Sequence, residues 1–410
     1  MRDGKKACID APVAKLTSGG HLPALDGIRG LALLLVILFH ARLSVPRCTV
    51  DDWVLRLFGI GWSGVDLFFV LSGFLITGIL LDARGSAGYL RNFYARRVLR
   101  IFPLYFAFLA IAFLLIPTLM GVSSFSWNYL TYFLLYLTNI LHAVEPRALS
   151  FPLAVTWSLS VEEQFYIIWP FVVLLAGPRR LIQICAVLIP LALLTRIGMC
   201  MADVSRGIVY SMTFCKLDAL ATGGFIAAVA RTHGTLCLIK PAKWAAAIAS
   251  IGIAGLFVST KGHMSQYNTA VQTIGFTCLS LLFGALVLQA LHGKAGSWSQ
   301  RFWCSPPLRV LGKYSYAMYL CHVPVQLWVA DHLWSRQQID AIAGPSSLPG
   351  QLVFWLLVFF ISLAIALVSW HLFEKHFLRL KRFFVYREPC VPSVQEDAVP
   401  VNGTPERPSC

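Results

Sequence analysis

Apolar segments long enough to cross a membrane recur along almost the whole of this 410-residue chain. A helix needs about 20 mostly apolar residues to cross the hydrocarbon core of a bilayer. Only 13% of the residues are charged, whereas soluble domains carry about 25%. The sequence therefore predicts an all-α polytopic membrane protein without a large soluble domain. The eleven apolar segments lie at approximately 27–43, 63–82, 101–120, 127–142, 157–176, 181–200, 208–230, 244–260, 269–291, 313–334 and 351–374.

The charges of the connecting segments indicate how many of the eleven segments cross. Both ends of the membrane region are basic, as is the connection after the second segment, and basic connections tend to stay in the cytoplasm. These positions agree only if one segment within 101–176 does not cross. We expect the short, Tyr-rich segment 127–142 to be re-entrant or to lie at the outer interface. This predicts about ten transmembrane helices with both termini cytoplasmic; eleven would place Arg179 and Arg180 outside.

Composition divides the chain into three regions. Residues 1–21 are polar and basic, without a signal-peptide cleavage pattern, and are expected to form a cytoplasmic N-terminal segment. Residues 22–380 form the transmembrane domain. The Pro-rich, polar residues 381–410 are expected to form a disordered cytoplasmic tail.

The distribution of charge and of cysteines argues against a nucleic-acid interface, a disulfide framework and a metal site. The net charge of +15 comes from basic residues spread over short loops, without a continuous basic face, so we expect the lipid bilayer and no nucleic acid as partner. The eleven cysteines are scattered and include no CxxC pair, so neither a disulfide framework nor a metal site is predicted.

Arg29 and His40 are ionisable residues within or near the first apolar segment, where such groups are costly. They are eleven residues apart, close to three helical turns, so both project from one face about 16 Å apart. With Arg29 at the cytoplasmic edge, His40 lies near or just beyond the membrane midplane. A neutral imidazole there could act as a general base toward a hydroxyl. It could equally be a polar contact between two helices.

Arg97 and Arg100, in FYARRVLRIFPLYF, lie one turn apart at the cytoplasmic entry of a span. Such a pair suits phosphate groups, of which coenzyme A has three. Position alone favours the alternative, that these arginines only determine topology.

Acidic residues at the start of two other spans are further candidates. Asp66, in GVDLFFVLSGFLIT, could orient or charge-stabilise His40, or could be favoured at its position by the helix dipole. Glu162 and Glu163, in TWSLSVEEQFYIIWP, could take part in catalysis or could be first-turn capping groups. The remaining ionisable residues of the membrane region that we single out are Asp218, His322 and Glu374.

Five motifs in this order resemble the acyltransferase-three family of membrane O-acyltransferases, from about residue 22 to 380: LDGIRGLALLLVILFHA, GVDLFFVLSGFLIT, RRVLRIFPLY, TWSLSVEEQFYIIWP and YSYAMYLCHVP. The resemblance implies a multi-pass enzyme of the bacterial inner membrane without a permanently bound cofactor. It implies transfer of an acyl group, commonly acetyl, from cytoplasmic acyl-CoA to a hydroxyl of an exported glycan, a lipid-linked sugar or a similar acceptor.

The family's Arg-x10-His signature falls on Arg29 and His40, and its Arg-x-x-Arg signature on Arg97 and Arg100. The resemblance implies that His40 is the catalytic histidine, as base or as acyl carrier. It implies that the three arginines serve the acyl donor.

Other family motifs supply the remaining expected site residues. We expect Asp66 and Glu162 to assist His40, and Trp157, Glu163 and His322 to bind substrate. Lys216 stands where relatives often have arginine; a lysine loses the bidentate fork, so Lys216 is left out of the expected site.

Two other classes of protein would use the same residues. Buried His, Asp and Glu among about ten helices also suit a proton-coupled transporter or flippase. A receptor or scaffold that has lost catalysis is a third alternative. The absence of a visible inverted repeat and the presence of the arginine pair favour the enzyme.

Overall fold

Helices account for the regular secondary structure in the part of the chain that the computed structural model describes, residues 22–115, 127–145, 153–293, 296–342 and 344–386. No strand occurs in these ranges, which confirms the all-α class. Eight helical stretches in them are long and apolar enough to cross a membrane, which confirms a polytopic membrane protein.

Except for Thr49–Phe58, which lies between the first two apolar segments, the helices of eight or more residues follow those segments. The helices are α1 (Pro23–His40), α2 (Thr49–Phe58), α3 (Gly64–Asp82), α4 (Tyr89–Leu114), α5 (Leu130–Leu134), α6 (Thr138–Val144), α7 (Thr156–Met201), α8 (Arg206–Ser211), α9 (Leu217–Thr232), α10 (Leu236–Ser259), α11 (Phe276–Leu291), α12 (Trp298–Trp303), α13 (Pro306–His332), α14 (Arg336–Ile342), α15 (Leu348–Ser369) and α16 (Lys375–Arg379). Single turns of 3-10 helix at Gly59–Ser63, Trp127–Tyr129, Thr213–Lys216 and Leu380–Phe383, and of π helix at Val271–Gly275 and Trp370–Glu374, adjoin them.

The structure describes little of the two chain ends in the predicted division into regions, so that division stays a prediction. Residues 1–21, the predicted cytoplasmic segment, lie outside the described residues, as do 387–410 of the predicted tail. Residues 381–386, which the composition placed in that tail, are described: they begin in the turn at Leu380–Phe383 and pack against α4 through Tyr386 and its neighbours.

Helix α7 is 46 residues long and changes direction at Gly177. Gly177 has φ +67° and ψ 173°, a conformation that a residue with a Cβ rarely adopts. Trp169 and Cys185, each eight residues from Gly177, both pack against Gly224 of α9. The two arms of α7 therefore run side by side in opposite directions, so this one long helix contains two stretches that each match a predicted span.

The segment that we predicted not to cross, 127–142, forms only short helices. Helix α6, at seven residues, is longer than α5, and seven residues of helix rise about 10 Å, one third of the roughly 30 Å hydrocarbon core. Neither helix can cross by itself. The total of ten transmembrane helices and the cytoplasmic position of both termini stay predictions.

The most extensive helix contacts join α1 to α13 and α3 to α9. Both depend on glycines at which the backbones touch. A Cβ on Gly30 of α1 would lie 2.2 Å from the carbonyl oxygen of Leu308, and one on Gly73 of α3 would lie 1.9 Å from that of Leu220. Small residues of this kind allow close helix packing in membranes. The contact of α1 with α13 is what brings two histidines of the site together.

Candidate active site

His40 is the last residue of α1, and its ring is held by the backbone of its own helix. The Nδ1 atom lies 3.0 Å from the carbonyl oxygen of Val36. A carbonyl oxygen only accepts, so in the neutral ring Nδ1 carries the proton and Nε2 has a free lone pair. His40 also lines a cavity of about 770 Å³, which we call the outer cavity. The atom free for chemistry in that cavity is therefore Nε2.

His322 of α13 packs directly against His40. Its Nε2 lies 3.2 Å from His40 Nδ1, and the two ring centroids are 5.0 Å apart. His322 is completely buried and lines neither the outer cavity nor the second cavity described below. The expected substrate-binding role does not fit this position, because a substrate in either cavity would not reach the His322 ring.

Arg29, Arg97 and Arg100 meet at a second, smaller cavity of about 110 Å³, which we call the inner cavity. Glu162 and Glu163 line it as well. The structure thus brings together the predicted donor-binding arginines and the two adjacent carboxylates, from three different helices. Arg29 and His40 share α1 but line different cavities, so the spacing that we noticed in the sequence connects two sites.

The arginines of the inner cavity have few acidic partners. Arg29 Nη1 lies 3.4 Å from Asp26 Oδ1. The carboxylate of Glu162 accepts a hydrogen bond from the Ser72 hydroxyl, and no ion pair joins it to an arginine among the described residues. The Nε of Arg97 is buried without a hydrogen-bond partner. The charged residues that line the inner cavity are thus three arginines and two glutamates, and this balance suits an anionic ligand.

Lys381, in the turn at Leu380–Phe383, adds a further cation that the sequence pattern had placed in the tail. Its charge interacts with those of Arg29, Arg96, Arg97 and Arg100. Three contacts hold this part of the chain on α4: Asn92 donates to the carbonyl of Val385 at 3.0 Å, Arg96 donates to that of Phe384 at 3.0 Å, and the Arg96 guanidinium lies 5.8 Å from the ring centroid of Tyr386.

Val65 and Tyr319 line both cavities, so they form the wall between them. The hydroxyl of Tyr319 lies 2.5 Å from Ser158 Oγ and donates to the carbonyl of Val155 at 3.3 Å. These bonds tie α13 to the first turns of α7. His40 stands on the outer side of this wall, and the arginines stand on the inner side.

The outer cavity combines aromatic faces with polar groups. Trp157, the predicted substrate-binding residue, lines it with its ring centroid 4.7 Å from that of Tyr210. His142 of α6 lines it too, and burial lowers the pKa of this histidine. Aromatic surfaces with a few polar groups are typical of sites for small organic ligands. The further aromatic and charged residues of its lining are Phe39, Arg42, Asp52, Arg56, Trp62, His263, Tyr267 and Tyr319.

Asp66, which we expected to orient or charge-stabilise His40, makes no hydrogen bond to His40 among the described residues. Its Oδ1 lies 2.9 Å from Lys216 Nζ, and both side chains are buried. The ammonium of Lys216 also lies 3.6 Å from the ring centroid of Phe276. The lysine that we left out is thus the partner of the carboxylate that we assigned to catalysis. A buried carboxylate near a buried ammonium pairs with it because an unpaired charge in the membrane is costly.

A second buried ion pair lies beside the first. Arg196 of α7 donates to Asp218 Oδ2 at 2.7 Å, and Thr277 donates to the same oxygen at 3.0 Å. The Arg196 guanidinium lies over the Phe276 ring that Lys216 also faces. None of the four charged residues of the two pairs lines either cavity. Their position fits a role in packing α3, α7 and α9 together.

The sequence model of a family described as an acyltransferase domain matches residues 22–371. The chain is 29% identical to the peptidoglycan O-acetyltransferase OatA of Listeria monocytogenes over 74% of its own length and 49% of the relative's. It is 30% identical to the O-acetyltransferase OatA of Staphylococcus aureus over 77% of its own length and 52% of the relative's. The chain therefore spans about half the length of these relatives. No solved structure matches it.

Proposed function

We propose that this chain, which belongs to the acyltransferase-three family, is a membrane enzyme that moves an acetyl group from cytoplasmic acetyl-CoA to a hydroxyl of peptidoglycan. One observation carries the proposal. His40, with its free Nε2, lines the outer cavity, and the arginines line the inner cavity. The two cavities are separated by residues that line both of them, Val65 and Tyr319. A donor held on one side and an acceptor held on the other would meet at His40.

The excess of positive charge at the inner cavity supports acyl-CoA as the donor. Coenzyme A carries three phosphates, and arginine binds phosphate with paired, charge-assisted hydrogen bonds. Arg29, Arg97 and Arg100 line the cavity, and the charge of Lys381 interacts with all three. The inner cavity itself is far smaller than coenzyme A, so the phosphates would stay at its mouth and the acyl-bearing arm would enter it.

His40 would act on the acceptor hydroxyl. Its Nε2 takes the hydroxyl proton while the oxygen forms a bond to the thioester carbonyl carbon. The carbon–sulfur bond then breaks, and the proton on Nε2 passes to the leaving thiolate. In the alternative course, Nε2 first bonds to the acyl carbon while the carbon–sulfur bond breaks and the thiolate leaves. The hydroxyl oxygen then bonds to that carbon, the nitrogen–carbon bond breaks, and the freed Nε2 takes the hydroxyl proton and passes it to the thiolate. Both courses use the same lone pair.

The outer cavity supports a glycan acceptor. Tryptophan and tyrosine rings such as Trp157 and Tyr210 offer apolar faces to a sugar ring, and Arg42, Asp52 and Gln266 offer hydrogen bonds to its hydroxyls. The relatives whose names mention peptidoglycan make that polymer the first acceptor to test.

The test uses the full-length protein in lipid nanodiscs, with radiolabelled acetyl-CoA and soluble peptidoglycan oligomers. We expect label on the oligomers with wild type and none with His40→Ala. For Arg97→Ala we expect the KM for acetyl-CoA to rise about tenfold or more, because a charge-assisted contact contributes about 1.5–3 kcal/mol. Lys240→Ala is the matched control, since Lys240 is an exposed cation that lines neither cavity.

Full transfer by His40→Ala would refute the role of His40. If the radiolabel becomes attached to the protein in the nanodisc but never to a peptidoglycan oligomer, peptidoglycan is refuted as acceptor. A carrier would instead move intact substrate across a vesicle membrane without transferring the acetyl group, which separates the transporter alternative from the enzyme.

A further inference from the structure

The backbone carbonyl groups next to His40 and His322 determine which of the two rings donates the hydrogen bond between them. His322 Nδ1 lies 2.7 Å from the carbonyl oxygen of Tyr319. Because that oxygen only accepts, Nδ1 of His322 carries the proton and its Nε2 has the lone pair. That lone pair faces His40 Nδ1, which carries a proton because it lies within hydrogen-bond distance of the Val36 carbonyl oxygen. His40 Nδ1–H therefore donates both to Val36 and to His322.

The two rings form a chain of hydrogen bonds that ends at the outer cavity. It runs from the carbonyl of Tyr319 through His322 to His40, and every proton in it points the same way. The last atom of the chain, His40 Nε2, has no described hydrogen-bond partner. A ring oriented in this manner presents an unprotonated nitrogen to the cavity, as a general base must.

We propose that His322 is a positioning residue: it orients the His40 ring through the His40 Nδ1–H bond and stabilises the positive charge that the ring gains when Nε2 takes a proton or an acyl group. The proposal rests on the proposed function. A cationic imidazole donates a stronger hydrogen bond than a neutral one, so the bond to His322 strengthens as charge develops on His40. His322 itself neither touches substrate nor changes its protonation state.

The membrane environment explains why an imidazole holds this position. A carboxylate orients the histidine of many hydrolases. An unpaired carboxylate would be costly at this buried place, whereas a neutral imidazole offers an acceptor without a charge. Asp66, the carboxylate that the sequence suggested for this role, is bonded to Lys216 instead.

The first test compares two substitutions that differ in the acceptor they leave. His322→Phe keeps a planar ring but has no acceptor, and His322→Gln keeps an oxygen near the position of Nε2. We expect kcat for acetyl transfer to fall about 10- to 100-fold in His322→Phe, with the KM for acetyl-CoA unchanged, and to recover in part in His322→Gln. This loss of kcat is smaller than the loss on removing the carboxylate of a Ser-His-Asp triad, because the Val36 carbonyl still fixes the tautomer of His40. Cys321→Ala, at the adjacent position of α13 and outside both cavities, is the control.

The second test does not depend on catalysis. In protein labelled with ¹⁵N-histidine, the Nδ1–H signal of His40, assigned by its loss in His40→Gln, should move upfield in His322→Phe and stay near its wild-type position in Cys321→Ala. An unmoved signal refutes the bond, and an unchanged kcat in a folded His322→Phe refutes the role. Wild type that transfers no acetyl group overturns the proposed function and this role with it, whereas the NMR signal still reports whether the two rings are bonded.

Discussion

Lys381 adds one positive charge to those of the arginines at the inner cavity. It lies among arginines that have few acidic partners, and it comes from a part of the chain more than 280 residues beyond them in sequence. The mutual repulsion of these cations is relieved when an anion binds between them. The same repulsion explains why the residues have to be held by the packing of Phe384, Val385 and Tyr386 on α4.

Substitution of Lys381 tests its part in donor binding. Lys381→Ala should raise the KM for acetyl-CoA about five- to tenfold with little change in kcat, because it removes one phosphate contact that solvent partly screens. Steady-state kinetics in nanodiscs measure both constants. Arg382→Ala, at the exposed neighbouring position, should leave both unchanged. An equal effect of the two substitutions would contradict a specific contact by Lys381.

The ion pair between Asp66 and Lys216 allows a role in stability to be separated from a role in catalysis. Lys216→Met leaves a buried carboxylate unpaired and should lower stability by about 3–5 kcal/mol. Asp66→Asn combined with Lys216→Met removes both charges and should recover much of that loss. Thermal unfolding in detergent measures each variant. If the double variant is stable yet inactive, Asp66 or Lys216 contributes to catalysis and the packing role is incomplete.

Helix α13 is the element on which the two cavities and both histidines depend. It lies against α1 at His322 and against the start of α7 at Tyr319, whose hydroxyl is bonded to Ser158 and Val155. A shift of α13 would therefore alter both the orientation of His40 and the wall between the cavities. The close contact at Gly30 of α1 opposes such a shift, because the backbones already touch there.

Removal of the Tyr319 ring tests the wall. Tyr319→Ala should join the two cavities and admit water to the donor, so hydrolysis of acetyl-CoA without an acceptor should rise several-fold over wild type. Release of free thiol measures it. Tyr314→Ala removes a ring of the same helix that packs against Trp370 instead, and hydrolysis should stay at the wild-type level. Unchanged hydrolysis in a folded Tyr319→Ala protein would show that this ring does not separate the cavities.

At the scale of the whole molecule, the helical hairpin at Gly177 bears on the topology. The two arms of α7 return the chain to the side on which it started, so Arg180 and Asp203 belong to opposite sides of the membrane. Ten helices place Arg180 in the cytoplasm, and eleven place it outside. The sequence alone left this choice to the charge rule.

Cysteine labelling decides between the two topologies. In a protein without native cysteines, Arg180→Cys should be protected from a membrane-impermeant maleimide in spheroplasts, and Asp203→Cys should be labelled. Both results should reverse in inside-out vesicles. Labelling of Arg180→Cys in spheroplasts would contradict the ten-helix topology.

Several properties of this protein are local, and for that reason the sequence alone was enough to predict them. The length and apolarity of each segment determine that it is a membrane helix, and the confirmed all-α polytopic class follows from them. The motifs that resemble the family lie within single helices and their flanks, and the family match over residues 22–371 confirms what they indicated. The three arginines that meet at the inner cavity were each visible as charges in or beside an apolar segment.

Only the tertiary structure decided which charged and polar groups face each other. His322 lies 282 residues from His40 in sequence, and Lys216 lies 150 residues from Asp66. Every buried ionisable group in a membrane needs a partner, but several candidates of suitable charge exist in the chain, and helix packing selects among them. The sequence therefore determined that Arg29 and His40 share one apolar helix, and the packing of α13 on α1 decided that the imidazole of His322, and not the carboxylate of Asp66, lies against His40.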